Sequence, residues 1–86
     1  MALATTRVSI DDATATLVAS NVTAVTATEY LVGNIRAHVI PTGGAAPTIA
    51  SAYAEFNGSF QMSSGTAFDV YMWTVSGNTD VGVVSE

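Results

Sequence analysis

Short runs of alternating apolar and polar residues, rich in threonine, valine and isoleucine, recur along this 86-residue chain. Glycine, asparagine, aspartate or serine separates one run from the next. Alternation with a period of two in β-branched and aromatic residues is typical of strands that bury one face. Glycine and β-branched residues also interrupt every window long enough for a helix. The pattern therefore predicts an all-β fold.

The alternation predicts about seven or eight strands, spaced by roughly 8–12 residues, as in a small antiparallel β-sandwich or barrel. The whole chain, residues 1–86, forms one predicted domain, and residues 1–6 form an extended N-terminal arm that becomes ordered on docking. The predicted strands are residues 7–10, 15–19, 22–32, 35–40, 49–56, 60–62, 67–75 and 79–85.

Turn residues predict how these strands are joined. Asn57-Gly58 is the preferred pair for a type I′ hairpin, so residues 60–62 are expected to run back against the preceding strand. Ser63-Ser64-Gly65 is read as another turn, and Ser76-Gly77-Asn78 as the turn of a terminal hairpin. Other predicted breaks are Asp11-Asp12, Ser20-Asn21, Gly33-Asn34 and the loop from Pro41 to Pro47.

The core of so short a chain is thin, because a domain of this size buries only about 60–65% of its unfolded surface. The chain has no cysteine for a disulfide, and only 10% of its residues are charged, against about 25% in ordinary domains. Hydrophobic residues make up 49%. We therefore expect the domain to associate with copies of itself or with a larger surface.

The formal net charge is −5, the chain has no lysine, and Arg7 and Arg36 are its only basic side chains. This balance argues against nucleic acid and against an anionic membrane surface. It suits contact with a basic or neutral protein face. No run reaches the ~18 apolar residues of a membrane span. The N-terminus lacks the features of a secretion signal, so we expect the chain to remain in the cytoplasm of the producing cell.

The inventory of reactive side chains predicts no catalytic, cofactor or metal site. His38 is the only histidine, and no serine lies in a Gly-x-Ser-x-Gly elbow. Asp11-Asp12, with Asp80, offers oxygen ligands for Ca²⁺, but the spacing matches no calcium loop, and a turn explains the pair equally well. Gly43-Gly44 lacks the residues of a phosphate-binding loop.

Four side chains are the candidates for contact with a partner. Tyr71 and Trp73 share one strand face with Asp69, where they serve as core rings, as interface anchors or as a platform for a sugar. Arg36 and His38 share the opposite face to Ile35 and Ala37 on their own strand. A core role for at least one ring is the leading interpretation.

The stretches Val39-Ile40-Pro41-Thr42-Gly43-Gly44 to Ala46-Pro47-Thr48, and from Asp69-Val70-Tyr71-Met72-Trp73 to the terminal Ser85-Glu86, resemble small virion proteins of tailed bacteriophages. The resemblance covers about the last half of the chain. It implies a capsid decoration (cement) protein, or a head or tail accessory protein, located in the virion and assembled in the host cytoplasm. Its implied partners are the major capsid protein or other virion subunits, and its implied form is a homo-oligomer, with a trimer favoured. No catalytic residue follows from the resemblance.

Two other interpretations stay open. One is a carbohydrate- or receptor-binding β-domain of an adhesin-like protein that uses Tyr71 and Trp73. The other is a small enzyme, which the inventory of residues nearly excludes. A glycan binder needs exposed rings in the free protein, whereas an assembly protein buries them in its core or at a subunit contact.

Overall fold

The computed structural model describes residues 3–30 and 34–86 and contains one antiparallel sheet. The described strands are β1 (Ala4–Ile10), β2 (Thr16–Glu29), β3 (Ile35–Pro41), β4 (Ala54–Phe56), β5 (Ser59–Thr74) and β6 (Thr79–Ser85). Their order across the sheet is β1-β6-β2-β5-β3-β4. The prediction of an all-β, antiparallel fold is confirmed. The described residues form six strands in one sheet, which is not a closed barrel, and neither a sandwich nor a count of seven or eight strands is confirmed.

Two predicted breaks are bulges inside long strands, which accounts for the smaller number of strands. Ser20-Asn21 lies within β2, where the register against β5 shifts between Ala19 and Val22. Ser63-Ser64-Gly65 lies within β5, and the register shifts again between Val22 and Ala24 of β2. A bulge bends and twists a strand without ending it. The predicted break at Ser20-Asn21 and the predicted turn at Ser63-Ser64-Gly65 were therefore wrong, and β2 and β5 each continue through the bend.

Both predicted hairpins were also wrong. Asn57-Gly58 follows β4, which pairs with β3, whereas the next strand, β5, pairs with β2 and β3. Ser76-Gly77-Asn78 leads to β6, which lies between β1 and β2. Of the predicted strand 49–56, only Ala54–Phe56 is a strand. The curvature of the sheet lets short turns connect strands that do not pair.

One face of the sheet carries the core. Val70, Met72 and Val83 are fully buried there, and partly buried side chains such as Phe60 surround them. The buried residues of this inner face are Ile10, Val18, Ala19, Val22, Val25, Ala27, Ile35, Ala37, Phe68, Val70, Met72, Val81 and Val83. The hydrogen bond from the Thr74 amide to the Asp11 carbonyl links the end of β5 to the end of β1 and fixes the curl of the sheet.

The N-terminal segment is partly within the sheet. Met1 and Ala2 of the predicted arm, and the predicted break at Gly33 with Leu31 and Val32 before it, lie outside the described residues. Ala4–Thr6, also assigned to the arm, pair with Val83–Ser85 as the start of β1. No helix in the described part of the chain is long and apolar enough to cross a membrane.

Candidate interaction surface

The four predicted contact residues come together on the outer face of the sheet, opposite the core. Pairing of β3 with β5 places Arg36 opposite Trp73 and His38 opposite Tyr71. Pairing of β2 with β5 adds Leu17 opposite Tyr71. We call this surface the aromatic face and define it by Leu17, Arg36, His38, Tyr53, Tyr71 and Trp73. Five of these side chains lie on the neighbouring strands β2, β5 and β3, and Tyr53 lies just before β4.

Trp73 lies at the base of the aromatic face and is 1% exposed. Tyr53 covers it, with the two ring centroids 6.2 Å apart in a T-shaped arrangement. The Arg36 guanidinium lies 4.2 Å from the centroid of the Tyr53 ring. Trp73 therefore packs under a tyrosine, which in turn lies under an arginine. The indole is buried, but on the outer face of the sheet and outside the core cluster of the inner face.

The turn that carries Tyr53 is held to β3 by His38. Nδ1 of His38 bonds to the carbonyl oxygen of Ala52. Because a carbonyl only accepts, Nδ1 is the donor in this hydrogen bond. His38 thus has a positioning role in the fold, and Nε2 is the ring atom left for other contacts.

Two buried donors beside this cover have no hydrogen-bond acceptor among the described residues. They are the indole Nε1 of Trp73 and the Nε of Arg36. Arg36 is 3.6 Å from a carboxylate oxygen of Glu55, close enough for an ion pair but beyond good hydrogen-bond distance. The cover over Trp73 is therefore mainly a ring-packing contact.

Arg7, the other arginine, forms a second cluster that sequence reasoning missed. Its Nε lies 2.6 Å from Asp80 Oδ2, and its guanidinium carbon lies 4.0 Å from the Tyr30 ring centroid. The Ser9 hydroxyl donates to the other Asp80 oxygen over 2.8 Å. Ser9 and Arg7 together lower the pKa of Asp80, and the hydrogen bond to Asp80 raises the pKa of Arg7. Alternation along the sequence puts Arg7 and Ser9 on one face of β1. It does not show that β1 pairs with β6, which brings both residues to Asp80, because no turn connects these two strands.

Two adjacent carboxylates cap turns. Asp11 accepts the amides of Ala13 and Thr14, and Asp12 accepts the amide of Gly77. The turn interpretation of Asp11-Asp12 is therefore confirmed, while Asp80 is held by Arg7. Among residues 3–30 and 34–86, no group of three or more histidine, cysteine or acidic side chains is arranged to hold a metal ion.

Asp69 is also engaged inside the fold. Its Oδ1 accepts hydrogen bonds from the Asn21 amide at 2.8 Å, the Thr42 hydroxyl at 3.0 Å and the Ser20 hydroxyl at 3.2 Å. The Asn21 amide is the largest cause of a lowered pKa at Asp69, opposed by burial and assisted by Thr42 and Ser20. Although Asp69 shares a face with Tyr71 as predicted, its carboxylate fixes the bend of the sheet.

The fold and this surface define a small all-β protein whose aromatic face is partly exposed and whose Asp11, Asp12 and Asp69 carboxylates accept hydrogen bonds within the fold. Comparison with known protein families, curated protein sequences and solved structures finds no match to this chain.

Proposed function

We propose that the chain is a non-enzymatic structural subunit of a virus particle, of the capsid decoration (cement) type. It binds the major capsid protein or a neighbouring virion subunit through the aromatic face, and it stabilises the particle. The resemblance to small phage virion proteins supports the virion location. The aromatic face is the observation that carries the mode of binding.

The aromatic face supports the proposal because it exposes apolar and aromatic side chains although the core lies on the other side of the sheet. Leu17 is 44% exposed and Tyr53 is 46% exposed, and Tyr71 between the strands is half-buried. Aromatic side chains that combine an apolar body with a polar tip are enriched in protein contacts. A partner that covers these rings would bury apolar area that the small core of the domain cannot bury.

The charge distribution supports a basic or neutral partner. Arg7 pairs with Asp80 and Arg36 pairs with Glu55, so both basic side chains are neutralised within the molecule. Of the seven acidic residues, five then have no arginine partner, which equals the net charge of −5. This acidic field favours approach to a positively charged face and weakens as the salt concentration rises.

Non-enzymatic action is supported by the uses of the polar residues. His38 positions a turn, Asp11 and Asp12 cap turns, and Asp69 fixes a bend. The glycan-binding alternative loses its main ring, since Trp73 is covered by Tyr53, and it would depend on the two tyrosines.

The test is occupancy on purified particles. Particles from cells that produce the chain are expected to contain it in a fixed ratio to the most abundant shell protein, measured by quantitative mass spectrometry. Leu17→Glu should reduce occupancy by at least tenfold, because it places a charge inside the contact. Val84→Glu is the matched control, since Val84 is also 44% exposed but lies on β6, outside the aromatic face.

Absence of the chain from particles contradicts the proposed function. Equal occupancy of the Leu17→Glu and Val84→Glu proteins contradicts the aromatic face as the docking surface. Binding to a glycan array that is lost with Tyr71→Ala, in a protein that keeps its circular dichroism spectrum, favours the carbohydrate-binding alternative.

A further inference from the structure

The two edge strands of the sheet differ in length and in protection. β4 has three residues, one of them Glu55, and the turn before it is bound to β3 through His38 and Ala52. β1 has seven residues, contains no proline or lysine, and pairs only with β6 within the described part of the chain. An edge strand presents backbone N–H and C=O groups to other chains, and proteins usually guard it with a lysine, a proline, a bulge or a short length. β1 has none of these guards.

Arg7, the one charged residue of β1, does not protect the edge either. Its guanidinium is bound to Asp80 of β6 and lies over the ring of Tyr30. Gly82, the residue opposite Arg7 on β6, lets the Tyr30 ring lie against the strand, because a Cβ there would be 3.2 Å from Tyr30 Cε1. The Arg7 side chain therefore points towards β6 and away from the free edge of β1.

We propose that β1 pairs antiparallel with β1 of a second copy of this chain, so that the two sheets join across a two-fold axis. A second copy fits because an edge of the same length then faces β1 and both edges are satisfied together. Pairing of β1 with β4 of another copy would match seven residues to three and would repeat head to tail without a two-fold axis. This inference does not rest on the proposed function.

The side chains of β1 favour a register centred on Thr6. Thr6 then lies opposite Thr6 of the partner subunit, and Arg7 lies opposite Thr5 of the partner subunit. A cross-strand threonine pair is favourable, whereas a register centred on Arg7 would place two arginines opposite each other. The Thr6 register also brings Leu3, which is 71% exposed, opposite Ser9 of the partner subunit. The register therefore brings the partner strand beside a large apolar side chain that is exposed in the monomer.

The length of the β1 edge limits the expected affinity of the dimer. Seven residues at about 3.4 Å each give an edge about 24 Å long, which covers less than the ~800 Å² per partner of a standard stable interface. We therefore expect a reversible dimer with a dissociation constant on the order of micromolar. A trimer, the form implied by the resemblance, would have to use another surface.

Size-exclusion chromatography with light scattering, over a series of protein concentrations, tests this pairing. The wild-type mass is expected to rise from 8.8 kDa towards twice that value. Thr6→Lys and Thr6→Glu should each weaken the dimer by roughly a hundredfold, because like charges meet near the axis. An equimolar mixture of the two variants should restore the doubled mass. Thr28→Lys is the control, since Thr28 is exposed but lies on β2, which is paired on both sides.

A wild-type mass that stays at 8.8 kDa, or that reaches three times this value, overturns the proposal. So does a mixture of the two charge variants that stays monomeric while each variant keeps its circular dichroism spectrum. If the Thr6 variants do not fold, the pairing is tested instead by amide hydrogen exchange of the wild-type protein at several concentrations. Amides in alternate residues of Ala4–Ile10 must then gain protection as the concentration rises, and unchanged exchange overturns the pairing.

Discussion

The backbone amide of Asn21 donates a 2.8 Å hydrogen bond to the carboxylate of Asp69, across the bulge that bends the sheet. Asn21 has a φ of 57°, in the left-handed region, and this conformation turns its amide out of the ladder between β2 and β5. The Ser20 and Thr42 hydroxyls donate to the same oxygen. One buried carboxylate on β5 therefore connects the bulge of β2 to the end of β3, and the bend depends on it.

Asp69→Asn should lower the stability at neutral pH and reduce the dependence of stability on acid. The pKa of Asp69 is lowered in the folded protein, chiefly by the Asn21 amide. A carboxyl with a lowered folded pKa stabilises the fold above its unfolded pKa of about 4, and this contribution is lost as the pH falls through the folded pKa. The wild type should therefore lose stability from about pH 4 downwards, as measured by urea unfolding.

Asp80 contributes to the loss of stability over the same acidic pH range, because Ser9 and Arg7 lower its pKa in the folded protein. Asp69→Asn should thus remove only part of the acid dependence, and a double variant with Asp80→Asn should remove more. Asp12→Asn, which changes the net charge equally, is the control. An Asp69→Asn protein with the same loss of stability between pH 4 and pH 2 as the wild type would contradict the role of this carboxylate.

Gly82→Ala should destabilise the protein, and Gly65→Ala should not. A Cβ at Gly82 would lie 3.2 Å from Tyr30 Cε1, so the ring would have to move from its place beneath Arg7. A Cβ at Gly65 would meet nothing within 4 Å. Gly65→Ala should therefore gain about 0.4–1 kcal/mol by reducing the freedom of the unfolded chain. Urea midpoints that rise equally in both variants would show that the Tyr30 contact does not restrict Gly82.

The bend explains which part of the fold could be predicted from the sequence. Alternation correctly assigned the β class and the faces of β3 and β5, because this pattern depends only on local burial. The same pattern wrongly predicts a strand end at Ser20-Asn21 and a turn at Ser63-Ser64-Gly65, since polar and glycine residues favour turns and bulges alike. The difference depends on a carboxylate 48 residues away from Asn21, which no local pattern contains.

The aromatic face was predictable in part for the same reason. Alternation placed Arg36 with His38, and Tyr71 with Trp73, but only the pairing of β3 with β5 makes these two pairs neighbours. The cover over Trp73 was missed because residues 49–56 were read as one strand. Most of that stretch is instead a turn that folds Tyr53 back over the indole ring.

Tyr53→Ala should expose Trp73, the only tryptophan of the chain, and shift its fluorescence emission to longer wavelength. Loss of the ring contact should cost about 0.5–1.5 kcal/mol beyond the lost area. Tyr30→Ala is the matched control, because Tyr30 also lies beneath an arginine, on the other cluster, and is similarly exposed. It should leave the emission unchanged. A Tyr53→Ala protein with wild-type emission and acrylamide quenching would contradict the covering role of this ring.

Asn21→Ala should destabilise the protein by about 1 kcal/mol, whereas Asn21→Gly should be tolerated. The positive φ at Asn21 is unfavourable for a residue with a Cβ, and asparagine and glycine are the residues that adopt it most readily. Neither substitution removes the backbone amide that binds Asp69, so the comparison isolates the backbone conformation of the bulge. Free energies of unfolding from urea titration provide the measurement.

Asn78 is the matched control for the bulge, since it is an exposed asparagine outside the set of residues with positive φ. There the order should reverse, with Asn78→Gly less stable than Asn78→Ala, because glycine adds freedom to the unfolded chain without relieving strain. If Ala and Gly rank in the same order at both positions, the left-handed conformation at Asn21 does not determine which residues that position tolerates.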